Sequence, residues 1–199
     1  MNEFKIDFEI NGNCVKALKS LWKERDKKVK FEYHNLHFCS DGYVYFAGFQ
    51  FIFRTKYADS PVNFPEDINC LAVNLADFLS LIPDKAKVIY GNISQRSIEI
   101  QGKTISISAD IKHIHSISKL YINWRDMPEL DFKGYSKYPA AAIRFLDCFI
   151  SEWTVNFLHK EFAGNGHNWI EKVTFQDDKT VFFVYGQIFD MMFVPVSIR

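Results

Sequence analysis

Alternating apolar and polar residues predict that the chain opens with a strand. From Phe4 to Ile10 every second residue is apolar, which is the pattern of a strand that buries one face. Asn11 and Asn13 follow as turn and capping residues, and apolar side chains then recur at helical spacing from Cys14 to Trp22. We therefore expect a half-buried strand followed by an amphipathic helix of about three turns.

The same succession of elements occurs a second time within the first 110 residues. Alternating segments predict a meander of strands after the first helix, and an apolar stripe then predicts a second helix over residues 73–82, just before Pro83. The predicted strands cover residues 30–39, 43–47, 49–57, 87–90, 97–101 and 103–108. The predicted helix side of the core consists of Leu18, Leu21, Trp22, Phe78, Leu79 and Ile82. These elements predict one compact α+β unit with its two helices on one side of antiparallel sheet.

The remainder of the chain predicts a shorter second part, reached through a connector over residues 111–131. Ser136 can cap a helix that the Ala-rich run over residues 140–150 continues. Strands are predicted at residues 154–160, 170–176 and 180–185 and at the C-terminal end of the chain. We therefore divide the chain into a two-helix domain, residues 1–127, and a one-helix half domain, residues 128–199.

Composition places the chain among ordinary globular proteins. Of its 199 residues, 48% are hydrophobic and 24% are charged, which excludes a disordered or low-complexity chain. No apolar run reaches the roughly eighteen residues that a membrane helix needs, and the N-terminus lacks a signal-peptide core. The four cysteines form no C-x-x-C pair, so reduced thiols are expected. These features predict a soluble, cytoplasmic protein with no membrane partner.

The clearest charge feature lies on the first helix. The whole chain is neutral, with 24 Lys and Arg against 24 Asp and Glu, yet residues 14–30 hold seven basic residues and two acidic ones. Lys16, Lys19 and Lys23 are three and four residues apart, which places them on one helix face opposite the apolar stripe. Two interpretations stay open at this point: an ordinary solvated helix face, or a row that faces the phosphates of a nucleic acid.

No local pattern predicts a catalytic, cofactor or metal site. His37 and Cys39 share one face of a predicted strand while His34 lies on the other, and His113 and His115 form only a pair. Tetrahedral zinc needs three or four ligands. Phosphate-binding loops, nucleophile elbows and H-E-x-x-H motifs do not occur in the sequence. We therefore expect no cofactor, no metal and no locally encoded catalytic residues.

Four short segments, in this order along the chain, resemble the DNA polymerase sliding clamps. Residues 4–21 are similar to the first strand and helix of a bacterial clamp subunit, and residues 36–49 are similar to the turn in which Asp-Gly joins two strands. Asp126-Met-Pro-Glu-Leu130 resembles the connector that closes the family's first domain, and Met192–Arg199 resembles the family's C-terminal ending. The resemblance thus runs from one end of the chain to the other.

The resemblance implies an α+β sliding-clamp fold, with helices packed on antiparallel sheets, and a non-enzymatic processivity function. In that family the helices line a central hole and carry basic residues to the backbone of duplex DNA, whatever its sequence, while the outer face binds short peptides of polymerases and other partners. The implied DNA-binding residues are Lys16, Lys19, Lys23, Arg25 and Lys27. The implied partner-binding residues are Val194, Pro195, Val196 and Ile198. A ring also implies a homo-oligomer.

The chain departs from the family in length, so other functions stay open. Clamp domains have two helices each, and this chain offers one complete domain and part of a second. Either more copies than usual close the ring, or the chain no longer encircles DNA. The first alternative is a clamp-fold α+β module that binds a protein and not DNA. The second is an enzyme with a dispersed site near His113, His115 or His167.

Overall fold

The computed structural model describes residues 4–24, 34–47, 51–65, 70–83, 85–107, 142–145, 148–162, 169–174 and 180–195. The helices in these ranges are α1 (Gly12–Glu24), α2 (Leu75–Leu81) and α3 (Glu152–Phe162). The strands are β1 (Lys5–Asn11), β2 (Asn35–Cys39), β3 (Tyr43–Ala47), β4 (Phe51–Lys56), β5 (Cys70–Asn74), β6 (Val88–Ser94), β7 (Ser97–Ile100), β8 (Lys103–Ser106), β9 (Ala142–Phe145), β10 (Cys148–Ser151), β11 (Trp169–Thr174), β12 (Thr180–Tyr185) and β13 (Phe189–Phe193). None of these helices combines the length and the apolar character that crossing a membrane requires. The connector predicted over residues 111–131 lies outside the described residues.

Within the described ranges, a strand, a helix and three further strands follow one another three times. The first repeat is β1-α1-β2-β3-β4, the second is β5-α2-β6-β7-β8 and the third is β10-α3-β11-β12-β13. The first two repeats exchange their first strands, because β1 pairs with β6 and β5 pairs with β2, both antiparallel. The exchange gives the strand orders β1-β6-β7-β8 and β4-β3-β2-β5. Neither repeat can therefore complete its sheet without the other.

The chain divides into two compact units. One contains residues Met1–Phe49 and Arg54–Met127, and the other contains Gln50–Phe53 and Pro128–Arg199. β4 changes unit along its length, since its first three residues belong to the second unit and its last three to the first. The second unit thus combines a short piece from early in the chain with the C-terminal residues.

The first unit is built on the buried face of β1. The predicted alternation is confirmed, because Ile6, Phe8 and Ile10 are buried and the strand residues between them are exposed. On β6, Ile93 lies opposite Ile6 and Ile89 lies opposite Ile10, and both are fully buried. Removing this apolar surface from water stabilises the sheet.

The helices of the first unit complete its core. α1 contacts β1, α2 contacts β8, and the two helices contact each other. The predicted helix side of the core is confirmed for Leu18, Leu21, Phe78 and Ile82, which are buried. Trp22 and Leu79 were predicted to join them and are half-buried instead.

The second helix starts at a capping residue that also ends a strand. The Asn74 side chain accepts hydrogen bonds from the backbone N–H groups of Ala76 and Asp77, at 2.9 and 3.4 Å, and its own angles, φ −59° and ψ 128°, are not helical. Asn74 therefore closes β5 and caps α2. The predicted start at residue 73 is wrong because apolar spacing alone does not show where a cap interrupts the pattern.

In the second unit, the predictions of a helix over residues 140–150 and a strand over residues 154–160 are wrong. β9 and β10 lie where the helix was predicted, and they pair antiparallel, with Ile143 opposite Ile150. α3 lies where the strand was predicted. Strand pairing here outweighs the helix propensity of the alanines, because propensity is a weak preference that tertiary contacts override.

Ser151 explains why α3 forms despite its β-branched and aromatic residues. Its Oγ atom accepts a hydrogen bond from the Thr154 backbone N–H at 3.2 Å, and the two hydroxyl groups are 2.7 Å apart. Thr154 and Phe157, three residues apart, form the buried side of the helix. Ser151 followed by Glu152 was the available sequence signal for this helix start.

Aromatic side chains form much of the core of the second unit. Phe182 stacks on Phe193, its partner across β12 and β13, with ring centroids 5.2 Å apart. Phe53, in the second unit's part of β4, lies 4.9 Å from Phe189. The strand order is β11-β12-β13-β4, and the strands predicted over residues 170–176 and 180–185 are confirmed as β11 and β12.

Candidate nucleic-acid interface

α1 starts directly after β1, at a turn that Asn11 stabilises. The Asn11 Oδ1 atom accepts a hydrogen bond from the backbone N–H of Asn13 at 2.9 Å, which satisfies one of the free donors of the first turn. The N–H of Gly12 donates to the carbonyl of Lys87 at 2.7 Å. One local cap and one long-range hydrogen bond therefore position the start of the helix.

The apolar side of α1 is anchored in the core of the first unit. Cys14, Ala17 and Leu18 are fully buried. The Cys14 Sγ atom lies 3.2 Å from Thr55 Oγ1, and burial raises the pKa of the thiol to about 12, so Cys14 stays uncharged. Because this side of the helix is fixed, its opposite side has a defined orientation.

The lysine row of α1, which consists of Lys16, Lys19 and Lys23, follows the side of the helix away from the core. Lys16 and Lys23 are exposed and Lys19 is half-buried. Lys16 and Lys23 are seven positions apart, so the row extends roughly 10 Å along the helix axis. Over that length duplex DNA carries about six phosphate charges. Lys23 lies in the last turn, where a positive charge also interacts favourably with the helix dipole.

Two further predicted DNA-binding residues, Arg25 and Lys27, lie outside the described residues. The last described turn of α1 packs through Trp22, whose ring meets His34 edge to face with centroids 5.7 Å apart. This contact holds the end of the lysine row against His34, which directly precedes β2.

The exposed side of α2 carries a negative charge, whereas that of α1 carries positive charges. Its exposed residues are Asp77 and Ser80, and Asp77 lies in the first turn of the helix. The Ser80 hydroxyl donates to the backbone carbonyl of Asp77 at 2.6 Å. The basic character of the two-helix layer therefore comes from α1 alone among its described residues.

α3, in the second unit, has a mixed exposed side. Its exposed residues are Glu152, Asn156, His159 and Lys160. Lys160 also forms an ion pair with the largely buried Glu161, with Nζ and Oε1 3.2 Å apart. α3 therefore lacks a row of like charges comparable to that of α1.

Comparison with solved structures identifies the fold. The chain superposes on a DNA polymerase III beta subunit from Eubacterium rectale with a TM-score of 0.57, 7% identity and 97% of the chain covered. It superposes on the sliding clamp of Bartonella birtlesii bound to griselimycin with a TM-score of 0.56, 10% identity and 98% covered. For the Helicobacter pylori beta clamp bound to a DNA ligase peptide, the values are 0.51, 9% and 97%.

The chain has the DNA sliding-clamp fold. The predicted α+β clamp fold is thereby confirmed. The chain spans 65%, 66% and 66% of the length of these three clamp chains. No protein-family model and no curated protein matches the sequence.

The predicted partner-binding residues of the clamp fold follow its last described strand. Val194 is buried, with 3% of its surface exposed, and Pro195 is half-buried. Val196 and Ile198 lie outside the described residues. The described part of this segment thus packs against the second unit, and the groove predicted beside it stays a prediction.

The exposed side of the β1-β6-β7-β8 sheet carries a shallow acidic cavity that the sequence did not indicate. The cavity has a volume of about 380 Å³, and its polar lining includes Asp7, Asn92 and Glu99. Strand register brings these three residues into one row, since Asn92 lies opposite both Asp7 and Glu99. The exposed ring of Tyr90 lies at the same cavity. Only the pairing of β1, β6 and β7 could have revealed this row.

The described part of the chain shows no converging metal ligands. No group of three His, Cys, Asp or Glu side chains there could hold a metal ion. His37 is buried on β2, opposite Tyr45 on β3 and Ala72 on β5. His113, His115 and His167 lie outside the described residues.

Proposed function

We propose that this chain is a non-enzymatic, sliding-clamp-like protein that tethers a replication or repair partner to duplex DNA. The observation that carries the proposal is the lysine row on the outward side of α1, in a fold shared with DNA polymerase III beta subunits. Lys16, Lys19 and Lys23 would contact DNA phosphates, with Arg25 and Lys27 extending the row. The protein supplies no chemistry of its own, because position and charge are sufficient for tethering.

The physical basis of the proposed DNA contact is counterion release. Each phosphate that a lysine neutralises frees condensed counterions, which favours binding and makes it dependent on salt concentration but not on base sequence. The chain as a whole is neutral, so attraction must come from a local row and not from bulk charge. Sequence-independent contact is what a protein that moves along DNA requires.

The proposed tether also needs self-association and a partner site. We infer that several copies arranged with closed cyclic symmetry would encircle the duplex, and this chain spans 65% of the length of the Eubacterium rectale beta subunit. The Helicobacter pylori clamp binds a DNA ligase peptide. By analogy we assign peptide binding to the end of the chain, namely Val194, Pro195, Val196 and Ile198, of which Val194 is buried.

A protein-interaction module that does not bind DNA is the second candidate. It is supported by Asp77 on α2 and by the mixed exposed side of α3. If helices line a DNA path, a carboxylate there repels phosphates. The same fold would then present its surfaces to a protein partner only.

The decisive experiment compares two triple variants with equal change in charge. The first variant replaces Lys16, Lys19 and Lys23 by Glu. The control variant replaces Lys5, Lys56 and Lys103 by Glu, and these three lysines are exposed and lie outside α1. Binding to a labelled duplex is measured by fluorescence anisotropy at several salt concentrations. We expect the first variant to lose binding for every sequence tested and its salt slope to fall by up to about 3, since each phosphate contact contributes about 0.9.

Two outcomes would contradict the proposal. Equal loss of binding in both variants would show that net charge, and not the lysine row, attracts DNA. No salt-dependent DNA binding by the unmodified protein would favour the protein-interaction module. Light scattering over a range of protein concentrations tests the ring separately, because a strict monomer at the highest concentration cannot encircle a duplex.

A further inference from the structure

Two buried cysteines lie directly opposite each other in the first unit. Antiparallel pairing of β2 with β5 places Cys39 across from Cys70, 31 positions further along the chain. Directly opposed residues of an antiparallel pair project to the same face of the sheet. Cys39 is 1% exposed and Cys70 is 0% exposed, so both thiols lie inside the fold.

The geometry of this pair suits a disulfide. Opposed residues in antiparallel strands have Cα atoms about 4.5–5.5 Å apart, within the roughly 4.4–6.8 Å that a disulfide spans. The Cys39 Sγ atom donates to the backbone carbonyl of His37 at 3.7 Å. Neither of the other cysteines has such a partner among the described strand pairs, since Cys14 contacts Thr55 and Cys148 lies opposite Phe145.

The position of the pair within the sheet offers a route for an oxidant. Cys39 is the last residue of β2 and Cys70 is the first residue of β5, so both lie at the same end of the ladder. Among the described strands, β5 is the terminal strand in its order and pairs only with β2. The ends of terminal strands open at lower free energy than the body of a sheet.

The backbone of Cys39 is held by two hydrogen bonds outside the strand ladder. Its carbonyl accepts hydrogen bonds from the Tyr57 hydroxyl at 2.7 Å and from the backbone N–H of Gly42 at 3.2 Å. These contacts would keep Cys39 in place if this end of the ladder opened by movement of β5. Burial raises the pKa of the Cys39 thiol, which further restricts reaction to the opened state.

We propose that Cys39 and Cys70 form a redox-responsive dithiol, which a peroxide converts to a disulfide across β2 and β5. In the opened state the thiolate of one cysteine attacks a peroxide oxygen, the O–O bond breaks, and a sulfenic acid forms with release of one water. The second sulfur then attacks the sulfenic sulfur, the S–S bond forms, and a second water leaves. Two electrons pass from the sulfurs to hydrogen peroxide, and two thiol protons end in the water.

The disulfide would restrict the opening of β5 and of the helix that follows it. β5 leads directly into α2 through the cap residue Asn74, so the crosslink joins the start of this segment to β2. A thiol reductant reverses the step. The proposal does not depend on DNA binding.

The test uses the full-length protein treated with hydrogen peroxide and then digested without reduction. Mass spectrometry should show a peptide pair joined through Cys39 and Cys70, which dithiothreitol separates. The melting temperature of the oxidised protein should rise by at least roughly 4 °C. Cys148→Ser, the control, should keep both effects, whereas Cys39→Ala and Cys70→Ala should lose both.

The linked peptide is measured on the unmodified chain, so the test survives if an alanine variant fails to fold. A low concentration of urea should accelerate crosslinking, since it increases opening. Peroxide that modifies Cys148 while leaving Cys39 and Cys70 as thiols would overturn the proposal. Linkage of either residue to a different cysteine would overturn it as well.

Discussion

The ring of Phe8 occupies the space into which a side chain at Gly91 would project. The two residues lie directly opposite each other on β1 and β6. A Cβ atom at position 91 would come within 2.5 Å of the ring and would also meet the carbonyl of Glu99. Because Gly91 has no side chain, the ring of Phe8 can lie across the sheet. The centroid of this ring is 5.2 Å from the centroid of the Phe38 ring.

Gly91→Ala should therefore destabilise the first unit. Forcing one methyl group into a packed core costs typically about 1–3 kcal/mol. Urea unfolding would show this as a fall in the free energy of unfolding. Phe8→Leu combined with Gly91→Ala should cost less than the sum of the two single changes, because the shorter side chain makes room. Strict additivity would show that the clash with the Glu99 carbonyl, and not the clash with the Phe8 ring, determines the cost.

Gly102→Ala should be costly for a different reason. Gln101 and Gly102 have φ angles of 52° and 77° and link Ile100 to Lys103, which pair across β7 and β8. Such two-residue turns require left-handed backbone, which costs a residue with a Cβ atom about 1–2 kcal/mol. Nothing lies within 4 Å of a Cβ at position 102, so crowding does not contribute. Gly102→Asn should cost clearly less in thermal unfolding, and an equal cost for both variants would contradict this reasoning.

Asp41→Asn should change how stability depends on pH. Burial raises the pKa of Asp41, although the Tyr45 hydroxyl and the Tyr43 backbone N–H donate to its carboxyl group and lower it in part. Below the ordinary value of 3.8 the group is protonated in both states. As pH rises, the carboxyl group loses its proton in the unfolded chain before it does so in the folded protein. The wild type therefore becomes less stable between pH 3.8 and the pKa of Asp41 in the folded protein.

The free energy of unfolding of the Asp41→Asn variant should therefore increase relative to that of the wild type as pH rises from 3.8 through the pKa of Asp41 in the folded protein. Urea titrations at several pH values measure the difference. Asp59→Asn, which removes an exposed carboxyl group in the same unit, is the control. A difference that stays constant with pH would show that burial does not control this group.

Ser151→Ala should weaken α3 through the loss of its cap. The Ser151 Oγ atom accepts from the Thr154 N–H, and removing a cap of this type costs typically about 1 kcal/mol. For a chain of this size that lowers the melting temperature by about 2–4 °C. Ser151→Asp keeps an acceptor at the same position and should restore most of the loss. Calorimetry that finds the two variants equally stable would exclude the capping role.

Local patterns predicted those elements whose contacts are local. β1 follows from its alternation, and β7 with β8 follows from alternation on both sides of Gly102. The order of β9, β10 and α3 could not be predicted from local patterns. The Ala-rich run suggested a helix, and the aromatic run after it suggested a strand. Pairing of Ile143 with Ile150 and the cap at Ser151 decide otherwise, and both act beyond the range of a propensity argument.

The candidate surfaces likewise differ in whether local sequence patterns could predict them. The lysine row of α1 was visible in the sequence, since spacings of three and four residues place side chains on one helix face. The row of Asp7, Asn92 and Glu99 was not visible, nor was the pairing of Cys39 with Cys70. Each of these depends on the register between strands that lie far apart in the sequence.

The division of β4 between the two units determines which pieces of this protein can exist separately. A gene fragment that starts at residue 128 encodes β13 but omits residues 50–53, and thus the part of the neighbouring strand β4 that belongs to the second unit. Its product would have an open, aromatic strand edge where Phe53 packs on Phe189, and such edges recruit other chains. During translation, residues 50–53 are synthesised before the remainder of the second unit, which begins at residue 128. Recombination that exchanges C-terminal halves between relatives must therefore carry matched versions of residues 50–53 with them.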